Sequence, residues 1–264
     1  MGLGHPAYVA KLKGSPDESD FSDGRLLADL TRVGYLPRTW LAPADVRQLR
    51  QLVGHRRNPV DRRRDLKLRV GAILREHRVT IQGPRWGVGW AAKVRDNDGL
   101  PGHVRWVAGE LLDEIDHASE LIERAERKLE EATRDDPVVK RLRDIEGVGP
   151  VTAWTLRAAV GRFDRFRTGK QLARYCGLSP RNCSSGGRQA DGGLTDAADR
   201  RLRAVLIQAA QRLVRTHARW RELFESLTGR GKARNLAIAA VANRWVRSIR
   251  HRMVGGGGAR SAGN

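Results

Sequence analysis

Nine apolar residues fix more of this chain's architecture than any other feature. Val104, Ala108, Leu111, Ile115, Ala118, Ile122, Ala125, Leu129 and Ala132 step along the sequence by alternating fours and threes. Such spacing is a heptad a/d seam, here sustained over four repeats, and it predicts one helix roughly 45 Å long at 1.5 Å per residue. A seam of this kind cannot be buried by its own helix. It needs a partner, either the helix expected over residues 44–77 or a second subunit. Asp135-Asp136-Pro137 then stops the pattern. In the 44–77 helix, which Trp40-Leu41-Ala42-Pro43 introduces, Val46, Leu49, Leu52, Val53, Leu66, Val70, Ile73 and Leu74 suit one face. Pro59 should kink or break that helix. Arg56, Arg57, Arg62, Arg63 and Arg64 crowd its middle, either as a solvated face or as a track along a sugar-phosphate backbone.

Charge decides which partner to expect. Fifty Lys and Arg against thirty Asp and Glu give a net charge of +20. An excess of that size calls for a polyanion, so nucleic acid is the default partner. An acidic membrane surface is the competitor, but no apolar run reaches the ~20 residues a spanning helix needs, and no signal peptide is visible at the N-terminus. Cys176 and Cys183, the two cysteines, point to a reducing cytoplasm rather than a disulfide framework. Spaced Cys-x6-Cys with no histidine nearby, they read as small buried residues and not as metal ligands. None of the seven scattered histidines reads as catalytic.

The best place for a phosphate is Asp144-Ile145-Glu146-Gly147-Val148-Gly149-Pro150-Val151-Thr152. A helix ends there, two glycines flank one aliphatic residue, and Pro150 opens a second helix to about Val160. Proline is tolerated at a first helical position, where its missing N–H would have no partner anyway. Glycine allows positive φ and close approach of another chain. The unpaired N–H groups and positive dipole end of the second helix suit a phosphate oxygen. The pattern is that of a helix-hairpin-helix, with Gly147, Val148, Gly149 and Thr152 as its nucleic-acid-binding residues. The plainer reading is a tight turn between two helices.

Elsewhere the signals are local. Residues 1–16 hold a possible strand or helix edge. A helix expected from about Ser19 carries Leu26, Leu27, Leu30 and Val33 as its stripe. Asp20 and Asp23 fall on its core-facing side, where an acid must be paired or hold a metal. Alternatively, acids simply favour a helix N-terminus. Residues 80–102, with Trp86 and Trp90 among glycines, read as a connector whose tryptophans anchor it to a core or stack on bases. Phe163 and Phe166 mark a short basic turn, followed by a brief helix over 169–176 capped by Gly177. Residues 177–188 read as a loop in which Ser184 and Ser185, beside glycines and Arg181 and Arg188, offer a hydroxyl nucleophile to a phosphodiester. A solvated Ser/Gly loop is the plainer alternative. Thr195-Asp196 should cap a long helix to about Arg215. A last helix over 232–251 turns Leu236, Val241, Trp245 and Ile249 inward, before a flexible tail.

These passages resemble transposases of the insertion-sequence 110 family. Ser19-Asp20-Phe21-Ser22-Asp23 with Leu26-Leu27-Ala28-Asp29-Leu30 is similar to the family's Thr-Asp-x-x-Asp-Ala helix. Residues 145–152, Phe163-Asp164-Arg165-Phe166 and Gly177-Leu178-Ser179-Pro180 follow its hairpin and Gly-Leu-x-Pro block. Ser184-Ser185-Gly186 and Arg201-Leu202-Arg203 are like its Ser-Gly and Leu-Arg elements. The resemblance implies a mainly α chain with a small α/β remnant: a partial RuvC-like domain over 1–43, a coiled-coil region over 44–136, a helix-hairpin-helix transposase domain over 137–253, and a disordered tail over 254–264. It implies transposition and recombination of mobile DNA. Asp20 and Asp23 would be the last two acids of a DEDD tetrad holding Mg²⁺, a hard ion suited to oxygen ligands. Ser185 would be the nucleophile, with Ser184 the fallback, and it would need activation by that metal or by a base. A structured noncoding guide RNA, a homo-oligomer (dimer or tetramer) and a cytoplasmic, nucleoid-associated location are implied as well. Two departures stand out. The family's first Asp and its Glu lie upstream of the Asp-x-x-Asp helix, yet only nineteen residues precede Asp20. Residues 193–199 also depart from the family's Lys-x-Gly-Asn. The expectation is therefore an N-terminally truncated or degenerate copy that binds nucleic acid but does not cut it unaided. A non-catalytic helix-hairpin-helix binding protein is the alternative.

Overall fold

The computed structural model describes residue 9 and residues 20–36, 40–182, 191–194 and 199–255. Ten helices and one two-stranded ribbon account for the regular structure among them, so the chain is mainly α. It divides into two compact units, residues 1–45 and 46–264.

In the first unit, α1 (Asp20–Arg32) places Asp20 and Asp23 in its first turn and Arg32 in its last, which complements the helix dipole at both ends. Gly34 (φ 72°) ends it, with the Tyr35 and Leu36 amides donating to the Leu30 carbonyl. No residue of α1 is buried, and Asp20, Asp23 and Leu27 are exposed. The expected core-facing position of the two acids is thus corrected. Leu26 and Leu30 are only half-buried, so the stripe is too shallow to carry a carboxylate into a core.

The second unit begins with the helix pair that the seam demanded. Helix α2 (Ala44–Glu76) and α4 (Gly102–Thr133) run antiparallel. Their register is visible in the cross-links Arg56–Glu126 (2.5 Å), Arg63 to Ser119 (3.2 Å) and Arg62–Glu114. Leu66, Val70 and Leu74 of α2 pack with Ala108, Leu111, Leu112 and Ile115 of α4. The short helix α3 (Trp90–Arg95) adds Trp90 and Val94 to that core, so part of the expected connector is helical. Pro59 neither breaks α2 nor ends it. It is itself buried, and the helix continues for seventeen residues to Glu76. Proline costs a helix interior about 3 kcal/mol, and the apolar clusters that α2 joins at both of its ends outweigh that. The seam also drifts. Leu129 and Thr133 are buried and Ala132 is exposed, because a helix of 3.6 residues per turn slips against a strict 3.5 repeat. Thr133 Oγ1 donates to the Leu129 carbonyl (2.7 Å) and accepts the Trp154 indole N–H (2.9 Å), which ties α4 to the next unit of structure.

That structure is a helical cluster: α5 (Pro137–Arg143), α6 (Pro150–Val160), α7 (Gly169–Tyr175), α8 (Arg200–Thr216), α9 (Ala218–Gly229) and α10 (Arg234–Gly255). Asp136 caps α5 by accepting from the Val138 and Val139 amides, and its other oxygen takes Arg157 Nε at 2.6 Å. The segment expected only to stop α4 therefore also starts α5. Trp154, Leu156, Leu206, Leu213, Val241, Trp245 and Ile249 form one core. Phe163 and Phe166 join it, as does Cys176, whose thiol is pushed up to about 12 by burial. Leu236 is exposed, contrary to expectation, and Ile238 is buried instead. Five residues before Val241, Leu236 lies about 140° around the helix from it. Helix α9 was not anticipated; Trp220 and Leu227 anchor it. Asp199 caps α8 through the Arg201 and Leu202 amides, while the expected Thr195-Asp196 cap lies outside the described residues. The stretch expected to be loop opens with β1 (Pro180–Asn182), antiparallel to β2 (Asp191–Leu194). The tail beyond residue 255 is outside the described residues.

Helices α7 and α10 meet at Gly169, where an added Cβ would lie 2.9 Å from both Arg247 Cα and Cβ. Backbone is in the way there, and it cannot swing aside as a side-chain tip would. Gly169→Ala is expected to lower the unfolding free energy by about 1–3 kcal/mol, read as a lower urea midpoint at constant m-value. An unchanged midpoint would show that the two helices part freely.

Candidate nucleic-acid interface

Residues 144–149 join α5 to α6 in a turn built on two different glycines. Gly147 has φ +81°, and a Cβ there would overlap Leu213 Cδ1 and lie 3.5 Å from Trp245. The Trp245 indole donates to the Glu146 carbonyl (2.9 Å) and holds the turn onto α10. Gly149 caps α6 in an extended conformation (φ −83°), with open space where a Cβ would be. Pro150 takes the first helical position, as its ring permits. Val148 and Thr152 are buried. Of the four residues assigned to this corner from sequence, only the two glycines remain half-exposed. What α6 can offer outward is backbone: the first-turn amides of Val151 and Thr152, at the positive end of the helix.

The turn opens on a cleft of about 620 Å³ lined by Gly147, Gly149, Pro150, Val151 and Thr152 on one side. Across from them stand Arg56, Arg57, Arg63, Arg64, Lys67 and Arg75 of α2, with Arg85 from the loop after it and Arg212 from α8. Asp61 is the one carboxylate among these described lining residues. Several of the cations are already engaged. Arg56 pairs with Glu126, Arg57 with Asp61 (2.9 Å), and Arg64 with Asp65 (3.1 Å). Arg63 reaches only the Ser119 hydroxyl, and it has no carboxylate partner among the described residues, nor do Lys67, Arg75, Arg85 and Arg212. Burial, and then the neighbouring Arg63 guanidinium, hold the Lys67 ammonium below the ordinary lysine value. The cleft is therefore a site of like charge that an incoming polyanion would relieve.

The arginine run on α2 was legible in the sequence, but its division was not. Arg62 turns to Glu114, away from the cleft, whereas its neighbours line it. Lys67 and Arg75 were missed because they lie beyond the run on the same helix, and Arg85 and Arg212 because they are distant in sequence from the run and from the glycine turn. Gly71, buried inside α2, hints at one of them: a Cβ at that position would overlap the Arg85 guanidinium. The glycine leaves the groove in which Arg85 lies. Gly71→Ala is expected to raise stability by up to about 1 kcal/mol, since alanine favours a helix, while displacing the Arg85 guanidinium from its groove. Thermal melts check the first effect; a lower melting temperature would show that the methyl group is not accommodated.

Ser184, Ser185 and Arg188 lie outside the described residues, within the span that β1 and β2 bracket, and Arg181 is on β1 opposite Gly192. Asp20 and Asp23 belong to the other unit. Among the described residues no three His, Cys, Asp or Glu side chains gather as a metal site, and two carboxylates one helical turn apart fall short of a complete Mg²⁺ ligand set. No helix among the described residues is long and apolar enough to cross a membrane.

Residues 139–225, which hold the turn, α8 and the ribbon, match the family model for transposases of the IS116/IS110/IS902 family. The chain is 37% identical over 155 residues to a probable family 20 transposase from Pseudomonas aeruginosa, covering 57% of this chain and 45% of that protein. It is 28% identical over 217 residues to the putative transposase y4qE of Sinorhizobium fredii, covering 79% and 53%. It is 29% identical over 160 residues to the transposase for insertion sequence element IS1328 from Yersinia enterocolitica, covering 59% and 48%. The chain spans about half the length of these relatives.

Proposed function

The chain belongs to the IS116/IS110/IS902 transposase family, and we propose that it serves in moving an insertion sequence by gripping DNA in the cationic cleft. The observation that carries this reading is the cleft itself: eight Arg and Lys side chains face the glycine turn with one carboxylate among them. In this reading residues 137–160 are a helix-hairpin-helix. Its first-turn amides and Gly149 take one phosphate from the front, and Lys67, Arg75, Arg85 and Arg212 take its neighbours. None of these groups reads a base. Sequence choice is left to another agent, and a structured guide RNA on the basic helices is the proposed one. A homo-oligomer and a RuvC-like setting for residues 1–43 belong to the same proposal.

For the chemistry, we propose Ser185, with Ser184 as fallback, flanked in sequence by Arg181 and Arg188, as the hydroxyl that attacks a DNA phosphodiester: its oxygen bonds to phosphorus as the bond from phosphorus to one deoxyribose oxygen breaks, and that leaving oxygen takes up a proton. Asp20 and Asp23 would contribute two ligands of a Mg²⁺ site, and the bound ion would supply activation of the attacking oxygen. The alternative is a non-catalytic binding protein, which keeps the cleft and lacks the reaction. Denaturing electrophoresis after incubation with insertion-end DNA and Mg²⁺ separates the two. A protein–DNA adduct that disappears in Ser185→Ala, with binding intact, supports the transposase reading. Tight binding without any adduct supports the alternative.

A further inference from the structure

Trp86 occupies a place where its backbone should not want it. Pro84, Arg85, Trp86 and Gly87 form a tight turn closed by the Gly87 amide donating to the Pro84 carbonyl at 2.9 Å. Trp86 is its third residue, with φ 64°, a conformation that favours glycine or asparagine and that a bulky side chain rarely adopts. An outlier of this kind calls for a reason in the side chain. Part of the reason is packing: the ring lies 4.5 Å, centroid to centroid, from buried Trp90 at 49°. Packing is not the whole of it, because Trp86 stays half-buried and lines the cationic cleft. Lys67 Nζ sits 4.8 Å from its ring centroid, and the Arg85 guanidinium 5.8 Å.

An aromatic ring with two cations on it, set in the wall of a phosphate-binding cleft, is the arrangement that stacks a base while its phosphates are neutralised beside it. We propose that Trp86 is a stacking platform for one unpaired base, so that the cleft takes nucleic acid with an unpaired nucleotide in preference to a continuous duplex. The proposal rests on the DNA-gripping reading of the cleft and names the substrate class for it. Lys67 covers the ring when no base is there. Crowded by Arg63 and partly desolvated, its ammonium gains by moving from the ring to a phosphate, and that move frees the ring. A paired base offers no face to Trp86, since both of its faces are stacked within the duplex.

The test uses the full chain and two probes, a duplex carrying one central unpaired 2-aminopurine and the same duplex fully paired. Wild type is expected to bind the first about tenfold more tightly, the usual worth of one stacked base, and to quench its fluorescence. Trp86→Gly removes the ring and at the same time suits the positive φ. It should bind both probes equally, with a cooperative thermal melt retained, while Trp86→Phe keeps part of the preference. Equal binding of the two probes by wild type, or an undiminished preference in both variants, overturns the proposal. Failure of the underlying DNA-gripping reading looks different, because neither probe would then respond to loss of Arg75, Arg85 or Arg212.

Discussion

Gly147→Ala should lower the unfolding free energy by about 2–5 kcal/mol. Two costs add. Alanine at φ +81° is a left-handed residue with a side chain, which costs about 1–2 kcal/mol. Its methyl group would also be driven into Leu213, which is 1% exposed and has no room to retreat, and overpacking of that kind costs about 1–3 kcal/mol. Urea unfolding followed by circular dichroism measures the sum. Gly149→Ala makes the contrast, since its Cβ would meet nothing and its φ is ordinary. Stability there should move by less than about 1 kcal/mol, the scale of a cap substitution. Two glycines of one turn thus have separate tasks: the first fits the turn to the core, and the second keeps the mouth of the cleft open. A Gly147→Ala protein as stable as wild type would contradict this division.

Arg75→Ala, Arg85→Ala and Arg212→Ala combined should weaken duplex binding about a hundredfold at physiological salt, from three lost phosphate contacts. The same triple variant should fold at least as well as wild type. None of the three side chains has a carboxylate partner among the described residues, so removing them breaks no ion pair and relieves repulsion within a cluster of like charge. That combination, weaker binding without weaker folding, distinguishes a binding surface from a structural one. Arg56→Ala is the opposite case. It would leave Glu126 without its 2.5 Å partner across the helix pair, and part of its effect would be on stability.

The long elements were legible because their patterns are long. The heptad seam on α4 called for a partner, either the 44–77 helix or a second subunit, and α2 supplies one: Ala108, Leu111 and Ile115 pack with Leu66, Val70 and Leu74, while Ala132 is exposed. Local patterns misled where tertiary packing outvoted them. Pro59 sits within an unbroken helix, and Leu236 points outward because α10 buries the face defined by Ile238, Val241 and Trp245. The acids of α1 illustrate an ambiguity of period: Asp20 and Asp23 share a helical face with leucines, yet that face is not buried. At the candidate site, the glycine turn and the arginine run from Arg56 to Arg64 could be read directly. Arg85 and Arg212 could not, because only folding brings a loop residue and an α8 residue to the mouth of a turn more than sixty residues away from either.

The salt dependence of duplex binding tests the central claim most directly. Five cations without carboxylate partners among the described residues line the cleft, Arg63, Lys67, Arg75, Arg85 and Arg212, so a plot of log K against log[salt] should fall with a slope of about −4.5 for wild type and about −2 for the Arg75/Arg85/Arg212 triple variant. A triple variant whose slope matched wild type would place the DNA on some other face of this basic chain and leave the cleft without its role.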